Sequence, residues 1–246
     1  MLRPCCDHTL EPGTRPVHTP VPVVTQYATR ALIDRIAYSG HDPAEDPDWA
    51  TMGAPSQSAY GRWCRHMCGI ACLRMVLLHR DGQAPTPFQL LAGARRYGAY
   101  VRQDDGTIKG LIYAPFAEYA RDTHDLPVTV HGTLEMGELL DLLDAGRMVM
   151  ASVSKEIRRP ETDPERRGGH LVLAIGRQND QIAFRNPSGH TPQAREAMLP
   201  IERFGDFFGG RGVSLDLSGL QPDSPPDAAA ETSNPSTGPV ASTQTT

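Results

Sequence analysis

The stretch that decides the fold reads Trp63-Cys64-Arg65-His66-Met67-Cys68-Gly69-Ile70-Ala71-Cys72-Leu73-Arg74-Met75-Val76-Leu77-Leu78-His79. After Cys68, apolar residues recur at helical spacing on one face, and a second face is largely apolar as well. A helix with two apolar faces is expected at the centre of a domain. If Cys68 is its first residue, the sulfur lies among unpaired backbone N–H groups at the positive end of the helix dipole, which favours a nucleophilic thiolate.

The cysteines of this stretch could also have roles other than catalysis. Free cysteine is among the most buried residue types, so Cys64 and Cys72 are expected to pack in the core. Five cysteines is an odd number, and the spacing of four between Cys64, Cys68 and Cys72 is not typical of a disulfide framework. Structural zinc sites usually draw cysteine pairs from two segments. We therefore expect no metal and no cofactor.

Composition limits the class of protein. The chain has 246 residues, of which 39% are hydrophobic, and a net charge of −5 that leaves no basic face for nucleic acid. No apolar run reaches membrane-spanning length and the first residues lack a hydrophobic signal core, so a cytoplasmic protein without a membrane span is expected. Composition predicts a disordered arm at residues 1–15, one domain at 16–218 and a disordered tail at 219–246.

Periodicity and turn signals predict an α+β fold with a mostly antiparallel sheet. Thr86, Pro87 and Gln89 form a capping-box signature at the start of one helix. Residues 40–58 and 158–167 are predicted to be loops, and Val21–Tyr27 an edge strand or extended segment. The predicted helices are Ala28–Ala37, Cys68–His79, Pro87–Tyr97, Ala114–Arg121 and Thr133–Ala145, and the predicted strands include Leu126–Val130, Met148–Val153 and Gly212–Leu217.

A β-hairpin is predicted near the end of the domain. One strand begins at Gly168-Gly169-His170, and the return strand ends at Asn186. With the hairpin centred on Gln178, His170 lies opposite Asn186, and directly opposed residues point to the same face about 5 Å apart. The two side chains are therefore expected to touch, whereas a slip of one residue would send them to opposite faces.

These residues complete a chemical pattern. In a Cys-His-Asn system the imidazole takes the thiol proton and later protonates the leaving amine, while the Asn oxygen fixes the ring. Cys68, His170 and Asn186 are the candidates for the three roles. His66 is only two residues from Cys68 and is too close along the backbone to be the base, whereas His190 is the alternative base.

The same residues resemble a known family. Cys68-Gly69-Ile70-Ala71-Cys72-Leu73-Arg74-Met75-Val76-Leu77, with the later Gly-Gly-His strand and Asn186-Pro187-Ser188-Gly189, resembles the papain-like cysteine peptidases that process bacteriocin leaders at double-glycine sites. The resemblance spans roughly Val21 to Leu217. It implies a papain-like fold with Cys68 as nucleophile, His170 as base and acid, Asn186 as the orienting residue, and a peptide or protein substrate.

The chain also departs from the family pattern. The family carries an oxyanion-binding Gln shortly before its Cys, but no Gln occurs within ten residues upstream of Cys68. Gln26 is favoured because its Val-Pro-Val-Val-Thr-Gln context matches the family's first strand, and Gln57 is the alternative. The chain has neither membrane spans nor a nucleotide-binding loop, so a stand-alone member is implied and double-glycine specificity is not. An amidase or acyltransferase on the same triad, and a catalytically silent peptide-binding domain, stay as alternatives.

Overall fold

Residues 20–218 are described by a computed structural model, in which helices pack on one antiparallel sheet. The predicted arm at 1–15 and tail at 219–246 lie outside these residues. The α+β prediction is confirmed. The α-helices are α1 (Ile33–Tyr38), α2 (Gln57–Trp63), α3 (Cys68–Asp81), α4 (Pro87–Arg96), α5 (Tyr113–His124), α6 (Met136–Asp144), α7 (Pro192–Arg195) and α8 (Ile201–Phe207).

The sheet has the strand order β1-β6-β2-β3-β4-β5, and each neighbouring pair is antiparallel. Alternate residues of its strands face two separate apolar cores, because side chains alternate across a strand. Met148 and Met150 face the core that contains α3, whereas Val149 and Ala151 face the core beneath α6 and α8. The strands are β1 (Val128–His131), β2 (Met148–Val153), β3 (His170–Gln178), β4 (Gln181–Arg185), β5 (Glu196–Pro200) and β6 (Phe208–Leu215).

Helix α3 lies in the middle of the first core and begins at Cys68 as the sequence predicts. Residues from Gly69 to Leu77 on both of its faces are buried. The helix ends at Asp81 because Gly82 takes a left-handed conformation with φ of 71° and caps it. The predicted capping box of α4 is also present, with the Thr86 side chain accepting from the Gln89 backbone.

Several element boundaries differ from the sequence expectation. Residues 40–58 are not a continuous loop, since they contain two short 3-10 helices, Pro43–Glu45 and Trp49–Met52, and the start of α2. Ser56 caps α2 by accepting from the backbone of Ala59, a signal that the Gly-rich and Pro-rich context obscured.

The hairpin of β3 and β4 has a different register from the predicted one. Its turn is centred on Asn179 and Asp180, and Gln178 pairs with Gln181. A bulge at Ile175 then shifts the register, so that Leu173 pairs with Arg185. If this register continued beyond Arg185, Ser188 would lie opposite His170. Asn186, two residues before Ser188, would then be on the same face of the sheet as His170. Without the bulge the two side chains would point to opposite faces, so the predicted contact depends on an irregularity that the centring argument did not contain.

Candidate active site

Cys68 lies at the N-terminus of α3 and shares a cavity of about 100 Å³ with His170, the first residue of β3. Its side chain is partly accessible, whereas Cys64 and Cys72 are fully buried, as the sequence predicts for packing residues. Burial raises the pKa of the Cys68 thiol, and hydrogen bonds from the backbone N–H groups of Leu171 and Gly69 only partly oppose that effect. The resting form is therefore the thiol and not the thiolate expected from the helix terminus alone.

His170 and Asn186 are in direct contact. The His170 Nε2 atom lies 2.9 Å from Asn186 Oδ1, and both residues are buried. Since an amide oxygen can only accept, Nε2 carries the proton and donates, which leaves Nδ1 with the lone pair. Asn186 thus selects the imidazole tautomer and limits rotation of the ring.

Ser188 is a third member of this cluster that the sequence reasoning missed. Its hydroxyl lies 2.9 Å from His170 Nε2 and 3.2 Å from Asn186 Oδ1, and it accepts a hydrogen bond of 2.7 Å from Arg158 Nε. The Ser188 backbone N–H also donates to Asn186 Oδ1 at 3.0 Å. The available signal was the turn after Asn186, because an Asn followed by Pro and Ser can bond its own backbone two residues on.

The environment keeps the His170 imidazole neutral. Burial, followed by the positive charge of Arg158, lowers its pKa from 6.5 to about 3, and the hydrogen bond with Asn186 opposes this effect. A neutral imidazole beside a neutral thiol can accept the thiol proton as the sulfur attacks. The two groups are therefore both neutral at rest, without a preformed ion pair, and the low pKa of His170 makes it a weaker base than a histidine of ordinary pKa.

Of the two candidate glutamines, Gln26 lies at the cluster. Its backbone N–H donates to Pro187, the residue after Asn186, and its side-chain Nε2 donates to the carbonyl of Cys64 at 3.0 Å. The Gln26 side chain therefore sits between the turn of Asn186 and the chain leading into α3. The alternative, Gln57, is exposed and donates to the carbonyl of Ala44.

Among residues 20–218, the other histidines do not line the Cys68 cavity. The His79 ring contacts the carbonyl of Pro20, and His190 packs edge-on against Tyr38 beside a different cavity. Within residues 20–218, no group of three or more Cys, His, Asp or Glu is arranged to hold a metal ion. Over the same range, no helix has the length and apolar character needed to cross a membrane.

Comparison with solved structures finds peptidases with low sequence identity. The chain is similar to the peptidase domain of Streptococcus ComA, a bifunctional ABC transporter involved in quorum sensing, with 18% identity, 61% and 91% of the two chains covered and a TM-score of 0.43. A double-glycine-motif protease from an AMS/PCAT transporter, in complex with its leader peptide, has 18% identity, 60% and 81% coverage and a TM-score of 0.40.

A candidate C39-like peptidase from Bacillus anthracis has 15% identity, 61% and 88% coverage and a TM-score of 0.43. No protein-family model matches the chain, and no curated protein matches it.

Proposed function

We propose that this protein is a cysteine peptidase that hydrolyses a peptide bond through Cys68, His170 and Asn186. The observation that carries the proposal is the buried hydrogen bond of 2.9 Å between His170 and Asn186, on an imidazole that shares a cavity with the one partly accessible cysteine among residues 20–218. A histidine that only fills space in a core would not need a hydrogen-bonded asparagine and a place in the lining of a cavity that also contains a thiol at a helix N-terminus.

The mechanism follows from the tautomer that Asn186 selects. His170 Nδ1 takes the proton of the Cys68 thiol as the sulfur attacks the substrate carbonyl carbon, forming a C–S bond and an oxyanion. The backbone N–H of Cys68 and the second N–H of the Gln26 amide are the proposed donors to that oxyanion. The C–N bond then breaks as the imidazolium protonates the leaving amine, and water hydrolyses the acyl-enzyme with His170 again acting as base.

A catalytically silent peptide-binding domain is the second candidate, and one observation favours it. Burial raises the pKa of the Cys68 thiol, and a silent cysteine is expected to have a pKa at or above the usual value of about 8.5. The two candidates differ in whether His170 can lower the barrier to removing the thiol proton during attack.

The test is a comparison of Cys68→Ala, His170→Ala and Cys72→Ala proteins against a defined peptide library, with cleavage read by mass spectrometry. We expect the first two variants to lose cleavage and Cys72→Ala to retain it if it folds. Selective labelling of Cys68 by an electrophilic thiol probe, lost in His170→Ala, would support the assignment. Cleavage that persists in Cys68→Ala would refute it, and a product mass that grows with added amine would indicate an acyltransferase.

A further inference from the structure

The cavity at Cys68 carries a cation that the peptidase mechanism does not use. The Arg211 guanidinium lines the same cavity as Cys68 and His170, together with Tyr113 and Ser152. No carboxylate side chain lines this cavity, and Arg211 forms no ion pair within residues 20–218. In the described part of the chain, a cation and two hydroxyl groups therefore line the Cys68 cavity without a carboxylate.

Alternation along β6 puts Arg211 on the face of the Cys68 cavity. Val213 and Leu215, two and four residues further along the strand, pack in the core that contains α3, so Arg211 is on the same face. At Arg211 the strand forms a bulge: Ala151 pairs with Gly212 and Val153 pairs with Phe208, so three residues of β6, Gly209 to Arg211, lie opposite Ser152 alone.

The backbone geometry of this bulge favours glycine at two of its positions. Gly210 has a φ of 62°, which favours glycine, and a Cβ on Gly209 would lie 3.1 Å from the Cα of Gly168. Gly168 comes two residues before His170, so β6 closes against the chain that leads into the imidazole. The bulge thus packs against the chain that leads into His170, next to the cavity that Arg211 lines.

The hydroxyl groups are linked to the same cation. Burial raises the pKa of Tyr113, and hydrogen bonding with Ser152, the charge of Arg211 and hydrogen bonding with Arg211 all oppose that effect. Ser152 is 2% exposed, and its Oγ lies 3.2 Å from where a Cβ on Gly168 would stand, while Arg211 Nη2 lies 3.5 Å from the same point. The three polar groups therefore meet in one place.

We propose that Arg211, Tyr113 and Ser152 form a subsite for a carboxylate of the substrate adjacent to the scissile bond. This inference rests on the proposed function. A guanidinium with neighbouring hydroxyl donors is suited to a planar carboxylate. The cavity of about 100 Å³ holds a group the size of about three waters, which admits a carboxymethyl group and excludes a large aromatic side chain. The carboxylate comes either from an acidic side chain or from the C-terminus of a short peptide.

The first test uses iodoacetate and iodoacetamide, two alkylating reagents of similar size that differ in charge. In each case the Cys68 thiol gives up its proton to the buffer, the sulfur forms a bond to the CH₂ carbon and iodide leaves, and the rate is read by mass spectrometry. We expect the iodoacetate-to-iodoacetamide rate ratio, normalised to glutathione in the same solution, to fall roughly five- to tenfold in Arg211→Gln, the effect of one partly solvated charge at close range. Arg211→Lys should retain most of the ratio.

The matched control is Arg167→Gln, which removes an exposed arginine that lines a different cavity. This control should leave the ratio unchanged, and raising the salt concentration should reduce the difference between wild type and Arg211→Gln. An equal ratio in wild type and Arg211→Gln would overturn the subsite while leaving Cys68 as a reactive thiol.

A second measurement separates the subsite from the reactivity of Cys68. In Cys68→Ala protein, the NMR signal of the Arg211 side-chain Nε–H, assigned with Arg211→Lys, is followed during titration with acetate and with acetamide. The subsite is supported if acetate changes the chemical shift of the Arg211 Nε–H signal more than acetamide does, and more than acetate changes the corresponding Arg167 signal. A response no larger than that of Arg167 overturns it, whether or not Cys68 is catalytic.

Peptide pairs distinguish the two sources of the carboxylate. Each peptide is made with Asp or Glu, or with Asn or Gln, and each with a free or an amidated C-terminus. Cleavage next to Asp or Glu regardless of the terminus identifies an internal acidic side chain. Cleavage that requires the free C-terminus identifies terminal recognition. Cleavage indifferent to both changes would contradict the proposal.

Discussion

Replacing Asn186 by Asp exchanges the side-chain NH₂ group for a second oxygen and gives a negative charge to the carboxylate whose Oδ1 position lies 2.9 Å from His170 Nε2. The new carboxylate would stay ionised because the Ser188 backbone N–H and hydroxyl, 3.0 and 3.2 Å from Oδ1, can donate to it. An ionised carboxylate stabilises the imidazolium. Asn186→Asp should therefore raise the pKa of His170.

The pKa of His170 expected in Asn186→Asp follows from its pKa in the parent protein. Burial and the Arg158 charge lower the pKa of His170 to about 3, and a carboxylate in contact shifts a neighbouring group by roughly one to three pH units. The expected pKa in the variant is thus roughly 4 to 6. Wild-type His170 should show no titration above about pH 4.5, whereas the variant should titrate within reach of ordinary buffers.

Two measurements check this expectation in a Cys68→Ala background, where no thiol titrates beside the ring. The first is NMR titration of the His170 imidazole. The second is urea unfolding as a function of pH. The pKa of His170 is lower in the folded protein than the value of about 6.5 in the unfolded chain. As the pH is lowered from about 6.5 to the folded pKa, the unfolding free energy therefore falls by about 1.4 kcal/mol for each pH unit. The fall due to His170 should stop at a higher pH in Asn186→Asp than in the parent protein.

The control is Asn179→Asp, the same change on an exposed turn residue at the far end of the hairpin. It should leave the His170 titration where it is in the parent protein. A parent His170 that titrates near 6.5, or a midpoint that does not move in Asn186→Asp, would show that the ring is not held neutral beside Asn186.

Three further changes test the structure around Cys68, His170 and Asn186. Ser188→Ala removes an acceptor from Arg158 and should cost about 1–3 kcal/mol of unfolding free energy, which urea unfolding would show; an unchanged midpoint would contradict the network. Gly69→Ala would put a methyl 2.9 Å from the hydroxyl of Tyr100, whose buried ring cannot move away freely, and cost roughly 1–3 kcal/mol. Gly137→Ala, at the second residue of α6 with open space around it, should be neutral or stabilising. Gln26→Ala should lower kcat/KM about 10²-fold if its amide binds the oxyanion, and equal kcat/KM would exclude that role.

The elements that the sequence predicts well are those with strong local signals. The start of α3 at Cys68, its end before Gly82, the capping box of α4 and the bounds of β2 follow from periodicity and cap chemistry. The side chains that contact His170 and Asn186, and those that contact these in turn, were harder to predict. Arg158 lies in a segment with no periodicity, and its contact with Ser188 joins residues 30 apart in the chain. A contact of that kind depends on how the 3-10 helix Lys155–Arg158 packs against the turn after β4.

One bulge explains why strand alternation alone does not yield the contact between His170 and Asn186. The bulge at Ile175 restores the face on which Asn186 meets His170, whereas the irregularity at Gly209 to Arg211 inserts two residues and leaves Arg211 on the face that regular pairing with Ser152 would give it. A one-residue insertion thus reverses which side chains face the cavity, whereas a two-residue insertion does not, and neither changes the strand order. A search for further site residues in such sheets should therefore begin where the pairing breaks, because an inserted residue can direct a polar side chain towards a site that regular alternation would direct away from it.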